Sequence, residues 1–298
     1  MVGRPRLSRR PTRPLPPGPT AGWAVAEVEQ ALTVPVDPAS AAFFDVDNTM
    51  MQGASIYHFA RGLAARKHVR SRDLLRFGWY QVRFRTMASE NGGHIASSRE
   101  SALSFVAGWR VEDMERLCEE IFDDVMADRI WSGTRALAQL HLDAGHRVWL
   151  VTAAPIELGR IIADRLGLTG ALGTVAEVRD GVYTGRLVGD LLHGPAKADT
   201  IRELATEEGL DLARCAAYSD SINDTPMLSL VGKPVAVNPD GALRREARRR
   251  GWEIRDYRTG RKAAIVAAPV LAGAGLMVGA VSAGKAVRRR RTSRRYNL

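Results

Sequence analysis

The apolar run Ala41-Ala42-Phe43-Phe44 ends on two carboxylates, Asp45 and Asp47, and no other feature of the 298-residue chain narrows its fold as much. Side chains at i and i+2 of a strand share a face. Two like charges placed so closely raise each other's proton affinity unless a cation or a shared proton relieves them. An Asp-x-Asp pair is ordinary in a surface turn; at the exit of a buried strand it calls for a counter-charge. The chain supplies candidates downstream. His146-Arg147-Val148-Trp149-Leu150-Val151-Thr152 is a second apolar strand ending in a hydroxyl, followed by Ala153-Ala154-Pro155 and a helical pattern. Gly194-Pro195-Ala196-Lys197 sets an ammonium just ahead of a predicted helix, Ala198 to Thr206. Cys215-Ala216-Ala217-Tyr218 is a third buried strand, and it ends in Ser219-Asp220-Ser221-Ile222-Asn223-Asp224. Strands alternating with helices predict an α/β fold on a parallel sheet, where ligands bind outside the carboxyl ends of the strands. The polar residues all fall at that edge.

Taken in this order, the segments resemble the haloacid dehalogenase (HAD) superfamily, subfamily IB, and are similar to its phosphoserine phosphatases. Asp45-Val46-Asp47-Asn48-Thr49 resembles the family's first motif, Thr152 its second, Lys197 its third, and Asp220 with Asp224 its fourth. Ala176 to Arg186, AEVRDGVYTGR, resembles the hairpin that this subfamily carries before its lysine. The resemblance covers roughly residues 38–258. It implies a Rossmann-like α/β parallel sheet core, residues 36–52 and 132–258, with an inserted all-helical cap of the C1 type at 53–131.

The resemblance also implies chemistry. Asp45 would be the nucleophile of a phosphomonoester hydrolase, forming an aspartyl-phosphate. Asp47 would protonate the leaving alcohol and then deprotonate the attacking water. Charge on a transferring phosphoryl group spreads over its oxygens, so positioning and electrostatics carry most of the catalysis. Thr152, Lys197 and Asn223 would meet those oxygens, with the backbone N–H groups of Val46, Asp47 and Ala153 as further donors at turns and helix starts. Asp45, the Asp47 carbonyl and Asp220 resemble a hard-oxygen site for Mg²⁺. Asp224, with Asn223, would stand behind them, orienting water on the metal and pairing with Lys197.

One departure matters. The phosphoserine enzymes carry a Glu after the first motif that meets the substrate ammonium, and in register that position is Ala54. That position argues against phosphoserine; the expected substrate is a small-molecule or lipid phosphomonoester whose identity the sequence does not specify. Within the insert, helical stretches are predicted over Ser55 to Arg66, Ser71 to Ala88, Ser98 to Ala107 and Val111 to Asp128. The second of these sets Arg72, Arg76, Arg83 and Arg85 beside Trp79, Tyr80 and Phe84. Arginines snorkelling from an amphipathic helix account for that pattern; contact with an anionic lipid surface would use the same residues.

The formal charge of +10 belongs to the tails: no acid precedes Glu27, none follows Arg258, and the body between is left net negative. Residues 1–35 are basic and Pro-rich and are expected to be disordered. Ser8-Arg9-Arg10 is followed by Pro-Thr-Arg-Pro-Leu-Pro-Pro-Gly, which is no apolar signal core. Residues 263–284 carry no charge and are followed by Arg288 to Arg291, a pattern compatible with a membrane span or with a soluble helix and a solvated tail. A cytoplasmic protein, with membrane association through this segment as the added case, is the expectation. No nucleic-acid reading module accompanies the tail arginines, so specific nucleic-acid recognition is not expected. Cys118 and Cys215, the two cysteines, suit reduced packing residues better than a disulfide. From a different functional class, a regulator acting by membrane or partner binding, with phosphatase activity secondary, is the rival reading.

Overall fold

The computed structural model describes residues 37–66 and 106–258. Among them lies a six-stranded, all-parallel sheet: β1 (Ala41–Asp45), β2 (Arg147–Pro155), β3 (Gly170–Thr174), β6 (Ala216–Ser219), β7 (Lys233–Val237) and β8 (Glu253–Arg255). Their order across the sheet is β3-β2-β1-β6-β7-β8. The chain builds outward from β1 in one direction and then in the other, so the β1/β6 boundary is the topological switch point, where such sheets bind ligands. A hairpin, β4 (Ala176–Arg179) with β5 (Val182–Leu187), stands apart from the sheet. Its turn residues Asp180 and Gly181 have φ of 51° and 74°, the conformation that suits a two-residue turn to the twist of its strands.

Strand β1 occupies the centre because nothing on it needs water. Ala41, Ala42, Phe43 and Phe44 are wholly buried, and alternation sends them to opposite faces. Ala42 and Phe44 join the core under α1 (Ser55–Ala65), α2 (Val111–Ile121), α3 (Ser132–Asp143) and α4 (Ile156–Leu166). Ala41 and Phe43 join the core under α5 (Pro195–Glu208), α6 (Thr225–Leu228) and α7 (Gly241–Arg250). A strand buried on both faces reads as a continuous apolar run, as β1 does.

The segment inserted after β1 leaves and returns through a short paired junction. Gln52 N donates to Arg129 O at 2.7 Å and Trp131 N to Met50 O at 2.9 Å. Gly62 of α1 lies so close to α2 that a Cβ there would come within 2.4 Å of Ile121. Farther along, residues 108–111 pair with the hairpin: Gly108 N donates to Tyr183 O and Tyr183 N to Trp109 O, each at 2.9 Å. An ionic clasp adds to this, Arg165 of α4 meeting the Asp123 carboxylate through two bonds of 2.9 Å. The predicted helix Val111 to Asp128 is not one α-helix. It becomes a π-helical turn at Phe122–Met126 and a 3₁₀ turn at Ala127–Arg129. The wider turn keeps Phe122 and Met126 buried while Asp123 and Asp124 face Arg165 and Arg66. The predicted helix at 71–88 and all but the end of that at 98–107 lie outside the described residues, as do residues 1–35 and the apolar segment 263–284. Among the described residues, no helix is long and apolar enough to cross a membrane.

Behind the sheet centre sits a buried polar chain. The His141 ring is hydrogen-bonded to His146 at 2.9 Å and to the Tyr218 hydroxyl at 2.7 Å, and the Tyr218 ring stacks on Phe44 at 4.2 Å. Burial, then His146 and the nearby Lys233 and Arg255, push the His141 pKa down to about 3. The unfolded chain takes up a proton below about pH 6.5 that the folded form refuses. Stability is therefore lost as pH falls from about 6.5 toward 3, by up to about 1.4 kcal/mol per pH unit from this residue. Urea unfolding of the wild type and His141→Gln at pH 7 and pH 5 measures it: the variant should show the shallower decline, and equal slopes would remove His141 from the account.

Candidate active site

Asp45 is the last residue of β1, and the chain must turn sharply after it. Val46 O accepts both Met50 N and Met51 N at 3.0 Å. Asn48 takes a left-handed φ of 60°, a conformation that Asn tolerates better than most residues. Asn48 also ties the turn to the departing chain, its N–H bonding Gly53 O and its Oδ1 accepting Gly53 N, both at 3.1 Å. From α3, the buried Thr134 hydroxyl donates to Thr49 O at 2.8 Å.

Three short segments, distant from it in sequence, gather around Asp45. Lys197 donates to Asp45 Oδ1 at 2.6 Å and to Asp224 Oδ2 at 2.9 Å. Thr49 donates to Asp45 Oδ2 at 3.0 Å, and Ser219 to Asp224 Oδ2 at 2.7 Å. The side chains of Lys197, Asp45 and Asp224 are 4%, 8% and 3% exposed, so water screens this trio little. Asp45 pairs with Val151 across the β1/β2 ladder, which sets Thr152 one residue beyond it. The buried Thr152 hydroxyl accepts Ala154 N at 3.1 Å, leaving its own proton for another acceptor.

Two placements differ from expectation. Lys197 lies inside the first turn of α5, not ahead of it, because the helix begins at Pro195, whose fixed φ suits the first helical position. Ala153 is not at a helix start: β2 runs on to Pro155, with its register to β3 shifting between Val151 and Pro155. Asp47 is half-buried, and its Oδ1 accepts both the N–H of Ser55 at 2.8 Å and its hydroxyl at 2.6 Å. Asp220 is also half-buried, its carbonyl accepting Asp240 N at 2.8 Å. Asn223 sits in the turn Ile222–Asp224, its N–H on Ser221 Oγ at 3.3 Å; the carboxylate that reaches Lys197 from this loop is that of Asp224. Ala54 immediately precedes α1 and offers no carboxylate.

Burial raises the Asp45 pKa to about 7; Lys197 opposes the rise, while Asp224 and Asp47 add to it. Burial alone would lower the Lys197 pKa, but Asp224 and Asp45 outweigh it and hold the ammonium charged. The converging loops carry four carboxylates, Asp45, Asp47, Asp220 and Asp224, against this one buried ammonium. That surplus of negative oxygen suits a divalent cation. Among the described residues, no three or more His, Cys, Asp or Glu side chains form a ligand group. A hard cation here would complete its shell with carbonyl, water or substrate oxygens, as Mg²⁺ does. An ionised carboxylate has about four acceptor sites, so the two bonds to Asp45 leave room for it.

Sequence reading assigned no role to Thr49, Ser55 or Ser219. Thr49 lies in the turn that follows β1 and Ser219 ends β6, and their hydroxyl chemistry is a usable signal. Ser55 could not be found that way, because only the path of the chain back to Asp47 brings it there.

The family model described as haloacid dehalogenase-like hydrolase matches residues 42–229. The protein named phosphoserine phosphatase SerB1, from Mycobacterium tuberculosis, is 52% identical over 92% of this chain and 91% of its own. The inhibition of morphological differentiation protein of Streptomyces azureus is 37% identical over 74% of this chain and 79% of its own. A solved structure of unknown function from Bordetella pertussis Tohama I superposes with a TM-score of 0.65 and 29% identity, over 73% of this chain and 98% of its own.

The raised Asp45 pKa has a consequence for stability. In the folded state the carboxyl holds its proton to about pH 7, well above its range when unfolded. Its favourable contribution is full below about pH 4 and is lost as pH rises to about 7. In EDTA, the thermal midpoint of Asp45→Asn should fall less than that of the wild type between pH 5 and pH 8; parallel curves would contradict the assignment.

Proposed function

This chain belongs to the haloacid dehalogenase-like hydrolases and is a phosphatase, and we propose that it hydrolyses a phosphomonoester through a phosphoaspartate formed on Asp45. The observation that carries this reading is the buried trio of Asp45, Lys197 and Asp224 at the end of the central strand. Lys197 holds Asp45 by one oxygen, which aims the carboxylate and opposes the rise that burial imposes on its pKa. Asp45 then attacks phosphorus as the ester oxygen departs, and Asp47 supplies the proton that oxygen needs. Asp47 next takes a proton from the water that attacks the phosphoaspartate, releasing inorganic phosphate and restoring Asp45. The Lys197 ammonium and the Thr152 hydroxyl offer donors to the equatorial oxygens of the transferring group.

Asp45, the Asp47 carbonyl and Asp220 would hold Mg²⁺, with Asp224 and Asn223 behind them. When bound, Mg²⁺ neutralises charge shared between phosphate and carboxylate and so lowers the barrier to their approach. The insert, residues 53–131, would act as a lid that excludes water and selects the substrate. Its first helix reaches the site directly, since Ser55 holds the Asp47 carboxylate. With Ala54 where an ammonium-binding Glu would stand, phosphoserine is a poor fit, and a phosphomonoester lacking that ammonium is the better one.

Assay of a phosphomonoester panel with Mg²⁺ tests the proposal. Asp45→Asn should lower kcat by roughly 10⁴-fold or more, the loss typical of a removed nucleophile, and Asp47→Asn by about 10²- to 10⁴-fold. EDTA should abolish turnover and added Mg²⁺ restore it. Wild-type rates in Asp45→Asn would refute the mechanism.

A further inference from the structure

Asn238-Pro239-Asp240, the three residues after β7, match no motif considered above, yet they touch both loops proposed to hold the cation. Asn238 is 1% exposed and has a left-handed φ of 48°. Its Nδ2 donates to Asn48 O at 3.1 Å, and its Oδ1 accepts Tyr257 N at 2.8 Å. Asp240 works on the other loop. Its N–H donates to Asp220 O at 2.8 Å and its Oδ2 accepts Ile222 N at 3.2 Å, while Oδ1 caps α7 through Leu243 N at 2.7 Å.

We propose that this segment is a bracket that sets the spacing of the cation-facing oxygens, with Asn238 and Asp240 as positioning residues. Resting on the Mg²⁺ reading above, the proposal follows from peptide geometry. The Asp47 carbonyl and the Asn48 N–H belong to one planar, trans peptide unit and point in opposite directions. Gly53 O holds that N–H, and Asn238 holds the carbonyl on the other side of Asn48. Both peptide planes flanking Asn48 are thereby fixed, and so is the aim of the Asp47 carbonyl. Asp240 does the same for the next loop, binding the peptide groups on either side of Ser221 and so holding the backbone that carries the Asp220 carboxylate. A residue needed only to turn the chain at positive φ could be Gly; a buried amide using both its ends does more than turn. Groups that orient metal ligands commonly alter affinity about 10- to 100-fold when lost.

Isothermal titration of the metal-free full chain with MgCl₂ tests this, alongside the Mg²⁺ half-saturation and KM of p-nitrophenyl phosphate hydrolysis. Asn238→Gly keeps the backbone conformation and removes the amide. It should weaken the Mg²⁺ Kd by about tenfold or more, with KM at saturating Mg²⁺ changed less than about twofold. A merely structural residue would lower the thermal midpoint and leave the Mg²⁺ Kd alone. Asp240→Asn keeps a capping oxygen for α7, because Asn caps as well as Asp, but has one acceptor for two donors; it should weaken Mg²⁺ several-fold. If Asn238→Gly folds and binds Mg²⁺ like the wild type, the bracket is refuted while the metal site stands. If it does not fold, an unchanged Kd in Asp240→Asn refutes it instead. A wild type that takes up no Mg²⁺ overturns the metal reading, and the bracket with it.

Discussion

A buried ammonium between two buried carboxylates is the constraint on which the rest of this molecule depends. Lys197 bonds Asp45 and Asp224 at the carboxyl end of the central strand, where all three are nearly inaccessible to water. Breaking such a pair by deleting one partner typically costs about 3–5 kcal/mol, because a charge is left buried without compensation. Geometry here must therefore be held tightly, and the fold supplies the means. Strand β1 is immobilised by apolar packing on both faces, the turn after it by Asn48 and Thr134, and Lys197 by the first turn of α5.

The same constraint explains why the site is unbalanced. One lysine cannot neutralise the carboxylates gathered there, and burial first, then Asp224 and Asp47, raise the proton affinity of Asp45. A site optimised for the stability of the isolated chain would lose an acid or gain a base. Excess negative oxygen is relieved by a cation or by a proton, and the raised pKa of Asp45 marks it as the group that takes the proton. The inserted segment adds a second coupling, since Ser55 at the start of α1 binds the Asp47 carboxylate by two bonds. Movement of that helix and the orientation of the Asp47 carboxylate cannot be independent.

Much of this was legible in the chain. Apolar runs ending on Asp45, Thr152 and Ser219 announced parallel strands with chemistry at their carboxyl ends, because a strand buried on both faces needs uninterrupted apolar residues. The hairpin at 176–187 was legible because Asp180-Gly181 is a turn signal between alternating residues. Element ends were less so. Helix α5 begins at Pro195, ahead of Lys197, and β2 continues to Pro155, since both limits depend on neighbouring backbone. The π-helical turn at Phe122–Met126 was invisible, because it answers to Arg165 on α4 and to Arg66 just after α1.

What the sequence by itself determined is the chemical inventory and its order: two acids, a hydroxyl, a lysine and two more acids, each at the end of an apolar strand or the start of a helix. Local periodicity suffices for that, because burial on a strand or helix leaves a repeating mark. Only the tertiary structure decided which of these groups touch. It set Lys197 between Asp45 and Asp224, brought Ser55 back to Asp47, and joined Asn238 to Asn48 across 190 residues of sequence. Contacts between distant segments depend on how sheet and helices pack in three dimensions, and hydrogen bonds of that kind leave no periodic trace along the chain.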